Sequence, residues 1–198
     1  MKLVVMKFGG TSVGSIDKIN NVANIVEKQL NDKKLIVVLS AMSGVTNKMQ
    51  EYIDEIESNE NIENDLILTS GEAVSVGLLS AILKKRNIKS VPLLGWQIPI
   101  ITDSNHQKAK ILNIDKNRID QFLKDYDVIV IAGFQGVDMH GNITSLGRGG
   151  SDTTAVAIAA QVGALRCDIY TDVDGIFTTD PKVVSNAKKL DSITMEEM

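Results

Sequence analysis

The chain has 198 residues, of which 43% are hydrophobic and 23% are charged, and its net charge is −4. This length suits one α/β domain and leaves no room for a second. The negative net charge argues against the basic surface that nucleic-acid-binding proteins carry. The apolar runs are shorter than a membrane span. A single cysteine, Cys167, excludes an internal disulfide, and no signal-peptide pattern opens the chain. We therefore expect a cytoplasmic protein without a nucleic-acid or membrane partner.

The first half of the chain repeats a strand, a turn of small residues and a helix. The first run of apolar residues ends in two glycines, and apolar residues then recur at helical spacing behind Ser15, a favourable N-cap. A second such unit follows, and two βα units in series predict a parallel sheet. The predicted strands are 3–8 and 35–39, the helices are 16–30, 46–56 and 65–85, and a polar loop is expected at 59–64.

The second half is expected to complete the same doubly wound α/β unit. Proline and glycine interrupt the strand-like pattern between Ser90 and Ile114, which predicts short strands and loops. Residues 153–164 are mostly Ala, Val, Ile and Thr, so their helix should lie buried against the sheet. Thr194 and Glu197 have capping-box spacing, which predicts the start of another helix. The remaining predictions are a helix at 116–124, strands at 128–132 and 167–171, and a hairpin turn at 139–142.

Three polar turns that contain glycine follow strand ends, at residues 7–12, 40–44 and 147–152. The carboxyl ends of parallel strands meet at one edge of a sheet, so we expect these turns to lie together. Glycine lets backbone N–H groups approach an anion closely, and a following helix N-terminus adds a favourable dipole. The glycines of any single turn can be explained by tight packing of a helix against a strand. Three such turns at one edge of the sheet favour a phosphate site instead.

The phosphate motifs of other nucleotide-binding folds do not fit these turns. Residues 9–14 have the glycine spacing of a P-loop, but Ser15 stands where that motif requires lysine. The 147–152 turn lacks the last glycine of a dinucleotide fingerprint. The HRD and DFG sequences of protein kinases are absent as well. We therefore expect a different architecture for phosphoryl transfer.

Lys7 and Asp152 fit the roles that phosphoryl transfer requires. Cations must contact the transferring oxygens, and a carboxylate must organise those cations. Lys7 lies near the end of a strand that should be buried on both faces, where a charge needs a partner or a ligand anion. The plainer alternatives are a surface lysine and a helix N-cap at Ser151 or Asp152.

Glu72 and Arg148 are candidates for substrate recognition. An acidic residue near apolar turns suits a ligand ammonium, although Glu72 also has capping-box spacing with Thr69. An arginine between glycines suits bidentate binding of a carboxylate, although a solvated loop arginine is the commoner case. These residues alone leave both choices open.

Six motifs together resemble aspartate kinase, and they match that family in order and approximate spacing. They are KFGGTSV (7–13), SAMSG (40–44), TSGE (69–72), GFQGV (133–137), LGRGGSDTT (146–154) and YTDVDG (170–175). The resemblance covers essentially the whole chain. It implies the amino-acid kinase fold, a three-layer α/β/α sandwich with a mainly parallel central sheet. It also implies transfer of the γ-phosphoryl group of MgATP to the β-carboxylate of L-aspartate, the first step toward lysine, threonine and methionine.

The same resemblance implies roles for residues at matching positions. Catalysis would fall to Lys7, on the transferring phosphoryl group, and to Asp152, which would organise the lysines of the site. Glu72 would face the substrate ammonium and Arg148 its α-carboxylate, while phosphate oxygens and water would hold Mg²⁺ without protein ligands. The implied aspartate-binding positions are Ser40, Thr46, Glu72, Arg148, Gly149, Gly150 and Ser151. The implied ATP-binding positions are Lys7, Phe8, Gly9, Gly10, Tyr170, Thr171, Asp172, Phe177, Asp180, Pro181 and Lys182.

Three departures from the family bear on activity. Phe177 stands where the family often has tyrosine, and Lys182 where it often has arginine, which loosens the expected nucleotide contacts. The family also continues past the position of Met198 to a further phosphate-binding lysine and to paired ACT domains. We therefore expect residues 1–198 to form one catalytic domain, C-terminally incomplete and without ACT domains. Without that lysine the transition state loses one cation, which typically lowers rates by about 100- to 1,000-fold, so weak or no turnover is expected.

Two alternatives stay open. Kinases for acetylglutamate, glutamate, carbamate or uridylate share the fold, although the serine-threonine form of the first turn, with Glu72 and Arg148, argues against them. The second alternative is a non-catalytic interaction module, in which a truncated subunit associates through an exposed sheet edge with a partner or with another copy of itself.

Overall fold

The computed structural model describes residues 2–59, 61–172, 175, 178–179, 183–184 and 186–190. Its strands are β1 (Lys2–Phe8), β2 (Lys33–Leu39), β3 (Ser90–Leu93), β4 (Ile100–Thr102), β5 (Ile111–Ile114), β6 (Val128–Ala132), β7 (Gln135–Val137), β8 (Ile143–Ser145) and β9 (Arg166–Tyr170). Its α-helices are α1 (Ile16–Gln29), α2 (Val45–Glu55), α3 (Asn61–Leu68), α4 (Ser70–Lys85), α5 (Lys116–Asp125) and α6 (Gly150–Val162).

A five-stranded sheet in the order β3-β6-β2-β1-β9 forms the centre of the described residues. All of its pairings are parallel. Its inner strands β1, β2 and β6 consist largely of apolar residues and are almost entirely buried. Such continuous apolar strands are typical of a parallel sheet that is covered on both faces. The predicted parallel sheet is therefore confirmed.

Helices cover both faces of this sheet and form two separate apolar cores. Alternate residues of a strand point to opposite faces, so Val4 and Val5 of β1 contribute to different cores. The first core joins the sheet to α1 and α4, and the second joins it to α5 and α6. The predicted three-layer α/β/α arrangement is confirmed.

A second, four-stranded sheet lies beside the first, in the order β5-β4-β7-β8. The pairs β4–β5 and β7–β8 are antiparallel. In the β7–β8 hairpin, Asp138 Oδ1 accepts hydrogen bonds from the backbone N–H groups of His140 and Asn142, both at 2.9 Å. The expected hairpin turn and the short strands of the 90–114 stretch are thus present.

The long helix predicted from Asp65 is in fact two helices, and the predicted polar loop is largely helical. Helix α3 begins at Asn61, within that loop, and ends at Leu68. The hydroxyl of Thr69 donates to the backbone carbonyl of Asp65 at 2.8 Å, and α4 begins one residue later. A polar composition therefore concealed the first turn of α3.

The expectation that α6 lies buried against the sheet holds for one side of the helix only. One side of α6 packs against the sheet through Ala155 and Ile158, whereas the side chain of Val156 is half exposed. An apolar composition indicates that a helix can be buried, but it does not show how much of it the fold covers. The predicted helix start at Thr194 lies outside the described residues.

Helices α3 and α4 together form a stretch long and apolar enough, by length and composition, to cross a membrane. The expectation that no apolar stretch reaches this length is therefore corrected. Half of its most apolar window is buried inside the fold, and core helices of globular proteins meet the same criterion. The stretch also carries the buried carboxylates of Asp65 and Glu72.

Candidate active site

A cleft of about 860 Å³ lies at the carboxyl-terminal edge of the parallel sheet. The three predicted turns meet there, as expected from the direction of the strands. The first two are joined directly, because the N–H of Ser43 donates to the carbonyl of Gly10 at 3.2 Å. The predicted positions that line the cleft are Lys7, Ser40, Thr46, Glu72, Arg148, Gly149, Gly150, Ser151 and Asp152.

Lys7 and Asp152 form an ion pair in this cleft. Lys7 lies near the end of β1 and is only 7% exposed, and its Nζ is 2.7 Å from Oδ1 of Asp152. Asp152 lies in the first turn of α6, whose N-cap is Gly149. The alternatives of a surface lysine and of an N-cap at Ser151 or Asp152 are therefore wrong. The buried cation has the partner that its position requires.

Glu72 reaches the cleft from the first turn of α4 because Gly71 allows a close approach. A Cβ at Gly71 would lie 2.8 Å from side-chain atoms of both Ala41 and Val45. Glu72 is 2% exposed, and its Oε1 accepts a hydrogen bond from the N–H of Ala41 at 3.1 Å. Thr69 makes no capping hydrogen bond through its side chain, so the proposed capping box does not form.

The second carboxylate oxygen of Glu72 is unpaired. Oε2 is buried and has no hydrogen-bond partner among the residues that the structure describes. Burial raises the pKa of Glu72 from 4.5 to about 7, although the hydrogen bond from Ala41 opposes this change. A buried carboxylate with a free oxygen is suited to a cation supplied by a ligand.

Arg148 lies in the turn that leads into α6. Gly147 and Gly149 on either side have φ values of +76° and +73°, which other residues adopt at a cost. The side chain of Arg148 is exposed at the cleft, and within the described part of the chain no hydrogen bond or ion pair engages its guanidinium. This group is therefore available to an anionic ligand.

Several of the predicted ATP positions form a second cluster beside the cleft. The rings of Phe8 and Tyr170 are stacked with centroids 4.4 Å apart, and the N–H of Gly9 donates to the carbonyl of Tyr170 at 3.3 Å. Phe8, Tyr170 and Thr171 also line a hollow of about 280 Å³ next to α1. Thr171 and Asp172 are exposed. The predicted positions Phe177, Asp180, Pro181 and Lys182 lie outside the described residues.

Seven further residues line the cleft that sequence reasoning did not assign to it: Asn47, Gln50, Leu68, Gln107, Lys108, Phe134 and Ser145. Gln107 and Phe134 have φ values of +64° and +67°, a conformation rare in residues other than glycine and often found at functional sites. Phe134 belongs to the GFQGV motif, which was a usable signal. Gln107 and Lys108 lie in the stretch of broken strands, where the sequence offered no comparable signal.

Protein ligands for a metal are not apparent at the cleft. Across ranges 2–59 and 61–172 and the shorter described segments, no group of three or more His, Cys, Asp or Glu side chains is arranged to hold a metal ion.

The chain is similar to known proteins along its whole length. Residues 2–198 match the model of the amino acid kinase family. An aspartate kinase from Pseudomonas putida is 53% identical over 200 residues, which cover 100% of this chain and 49% of that relative. The chain thus spans about half the length of the curated relatives it matches.

Solved structures agree with this similarity. Escherichia coli aspartokinase III, in complex with aspartate and ADP, has a TM-score of 0.81 and 29% identity, with 96% of this chain and 54% of that chain covered. An aspartate kinase from Synechocystis has a TM-score of 0.81 and 41% identity, with coverage of 94% and 31%. The predicted resemblance to aspartate kinase is confirmed, and the chain belongs to the amino acid kinase family.

Proposed function

We propose that this chain carries the catalytic residues of an aspartate kinase, which phosphorylates the β-carboxylate of L-aspartate with MgATP. One observation supports this most strongly: a single cleft contains a buried ammonium, together with a buried carboxylate oxygen and a guanidinium that have no partner among the described residues. These belong to Lys7, Glu72 and Arg148. Similarity to aspartate kinases at about half sequence identity supports the same assignment.

The three groups complement the charges of L-aspartate. The free oxygen of Glu72 would accept a hydrogen bond from the substrate ammonium. Arg148 would bind the α-carboxylate through two parallel hydrogen bonds. The β-carboxylate would then lie toward Lys7, with hydroxyl donors from Ser40, Thr46 or Ser151 within the same cleft.

The reaction needs positioning and charge stabilisation more than covalent chemistry by the protein. An oxygen of the β-carboxylate attacks the γ-phosphorus of ATP, a new O–P bond forms, and the bond to the ADP oxygen breaks. Lys7 would stabilise the negative charge on the transferring group, and Asp152 would hold Lys7 in position through the 2.7 Å ion pair. The amino end of α6 adds a positive dipole at the same place.

ATP and Mg²⁺ are the cofactors in this proposal. Gly10 would donate its backbone N–H group to the phosphates, and Gly9, whose own N–H donates to the carbonyl of Tyr170 at 3.3 Å, would let the phosphates approach because it has no Cβ. The nucleoside would lie near Tyr170, Thr171 and Asp172. Mg²⁺ would be held by phosphate oxygens and water. The E. coli relative was solved with aspartate and ADP together, which supports adjacent sites for both ligands here.

We also propose that residues 1–198 form a single catalytic domain and that the protein is cytoplasmic. A free, half-buried cysteine such as Cys167 is compatible with the reducing conditions of the cytoplasm.

Association between copies of the chain is a further proposal. Strand β9 forms an edge of the parallel sheet within the described residues, and Ile169 on this strand and Leu165 just before it are exposed.

Calorimetric titration of the purified chain with L-aspartate and with MgATP tests the proposed function. Arg148→Ala should weaken aspartate binding by about 100-fold, because it removes hydrogen bonds between charged groups, while MgATP affinity stays within about twofold. Lys7→Ala should lower the yield of hydroxamate-trapped aspartyl phosphate by about 1,000-fold. Arg118→Ala is the matched control, since Arg118 lies on α5 and its guanidinium packs over Phe122 instead of lining the cleft.

Two results would contradict this proposal. If the folded chain bound neither ligand, the alternative of a non-catalytic interaction module would be favoured. If acetylglutamate, glutamate, carbamate or uridylate bound more tightly than L-aspartate, another kinase of the same fold would be indicated.

A further inference from the structure

The carboxylate of Asp65 joins three separate parts of the chain behind the wall of the cleft. Asp65 lies on α3 and is completely buried. Its oxygens accept hydrogen bonds from Nδ1 of His106 at 2.7 Å, from the N–H of Gln107 at 3.1 and 3.2 Å, and from the hydroxyl of Ser145 at 2.6 Å. Because a buried carboxylate without donors is strongly unfavourable, these contacts tie the 104–110 loop and β8 to α3.

The anchored loop lies directly against the turn that carries Arg148. A Cβ at Gly147 would lie 3.1 Å from the carbonyl oxygen of Gln107, so the two backbones are in close contact. The N–H of Ala109 donates to the carbonyl of Ser145 at 3.0 Å, which fixes the loop to the strand preceding the turn. Any displacement of the loop would therefore be transmitted to Gly147.

Arg148 depends on this support more than the other groups of the cleft do. Lys7 is held by Asp152, and Glu72 is held by the N–H of Ala41. The guanidinium of Arg148 has no such partner within the described part of the chain, so its position follows from the backbone of its turn. Errors of about 1 Å in the position of a binding group can lower rates by about 100-fold.

We propose that Asp65 is a positioning residue for substrate binding. Through His106, Gln107 and Ser145 it holds the 104–110 loop against Gly147, and this contact fixes Arg148 at the cleft. The inference rests on the proposed function, because the ligand of Arg148 is the α-carboxylate of L-aspartate. A purely stabilising role for Asp65 would instead predict a less stable fold with unchanged ligand affinities.

Substitutions at Asp65 and His106 test this proposal by calorimetry with L-aspartate and MgATP. Asp65→Asn should raise the dissociation constant for aspartate by about 10-fold and leave that for MgATP within about twofold. His106→Ala should act in the same direction, whereas His106→Asn should restore most of the affinity, because the Asn amide places a donor near the position of Nδ1. Asp127→Asn is the matched control. Asp127 pairs with Lys34 at 2.8 Å and directly precedes β6, so it lies at the amino-terminal ends of the strands, whereas the cleft lies at their carboxyl-terminal ends.

A double-mutant cycle with Arg148→Ala shows whether Asp65 acts through Arg148. In the Arg148→Ala background, Asp65→Asn should weaken aspartate binding by less than about twofold further, because the group that it positions is already gone. Additive losses would overturn the proposal. The proposal would also be overturned if folded Asp65→Asn bound aspartate with wild-type affinity, or if it lost affinity equally for aspartate and for MgATP.

The test also separates this proposal from the function on which it rests. If wild type does not bind L-aspartate, the proposed function and this inference fall together. If wild type binds L-aspartate and the variants bind it equally well, only the inference falls. Should Asp65→Asn fail to fold, the comparison of His106→Ala with His106→Asn decides by the same criteria.

Discussion

Two buried carboxylates on consecutive helices differ in what surrounds them. Asp65 on α3 and Glu72 on α4 are 0% and 2% exposed. Asp65 accepts hydrogen bonds from two side chains and one backbone N–H, whereas Glu72 accepts one from Ala41, and its other oxygen has no partner in the part of the chain that the structure describes. Burial alone therefore does not mark a ligand-binding group. A missing partner on a group that lines the cleft is more informative, because a buried polar atom without a partner is unfavourable and a ligand in the cleft can supply one.

The contrast extends to what each carboxylate does to the fold. The contacts of Asp65 link segments far apart in the chain and should stabilise it. Burial raises the pKa of Glu72 to about 7, which means that its ionised form is unfavourable in the folded protein. Keeping such a group is typical of a binding site that trades stability for function.

Asp65→Asn should destabilise the fold by about 3 kcal/mol, since it breaks a buried hydrogen-bonded network and leaves one of its donors unpaired. Urea denaturation followed by circular dichroism measures this change. Asp127→Asn, which removes a partly exposed ion pair, should cost less than about 1 kcal/mol. If both substitutions lowered the free energy of unfolding equally, the Asp65 network would stabilise the fold no more than a partly exposed ion pair does.

Affinity for L-aspartate should depend on pH through Glu72. Only the ionised carboxylate attracts the substrate ammonium, and the pKa of Glu72 in the free protein is about 7. The dissociation constant should therefore rise by about 10-fold for each pH unit below 7, whereas L-aspartate itself keeps its charges between pH 6 and 8. Calorimetry at several pH values measures this, and Glu72→Gln should abolish the dependence. A flat profile in wild type would contradict the assigned role.

Compared with wild type, Glu72→Gln should stabilise the folded chain by about 1 kcal/mol more at pH 8 than at pH 6, a smaller effect than that of Asp65→Asn and of opposite sign. The pKa is higher in the folded state than the usual 4.5, so the folded chain holds this proton more tightly and stability falls as pH rises from 4.5 through 7. The remaining gain should disappear below pH 4.5, where Glu72 is protonated in both the folded and the unfolded chain. Thermal denaturation at pH 8 and at pH 6 tests this, and a loss of stability at pH 8 would contradict it.

The parallel sheet and most of the cleft could be predicted because their signals are local. Successive βα units fix strand direction, so the turns at 7–12, 40–44 and 147–152 had to meet at one edge. Lys7 stood out as a charge in a strand buried on both faces. Glu72 and Arg148 were also identified, although the resemblance to aspartate kinase was needed to give each a role.

The remaining features depend on contacts between distant parts of the chain. Asp65 meets His106 and Ser145 at sequence separations of 41 and 80 residues, which no local pattern reveals. The capping-box spacing of Thr69 and Glu72 was misleading because Glu72 turns toward Ala41 instead. The exposed side of α6 was missed because composition does not show which neighbours a helix has.

The most direct test of whether the free oxygen of Glu72 recognises the substrate ammonium compares two ligands, L-aspartate and succinate, which lacks the ammonium group. The binding of each is measured to wild type and to Glu72→Gln at pH 8. Wild type should prefer L-aspartate by about 100-fold, because succinate leaves the carboxylate unpaired, and Glu72→Gln should reduce this preference to about threefold or less. If Glu72→Gln keeps the wild-type preference, Glu72 does not bind the ammonium and its unpaired oxygen has another explanation.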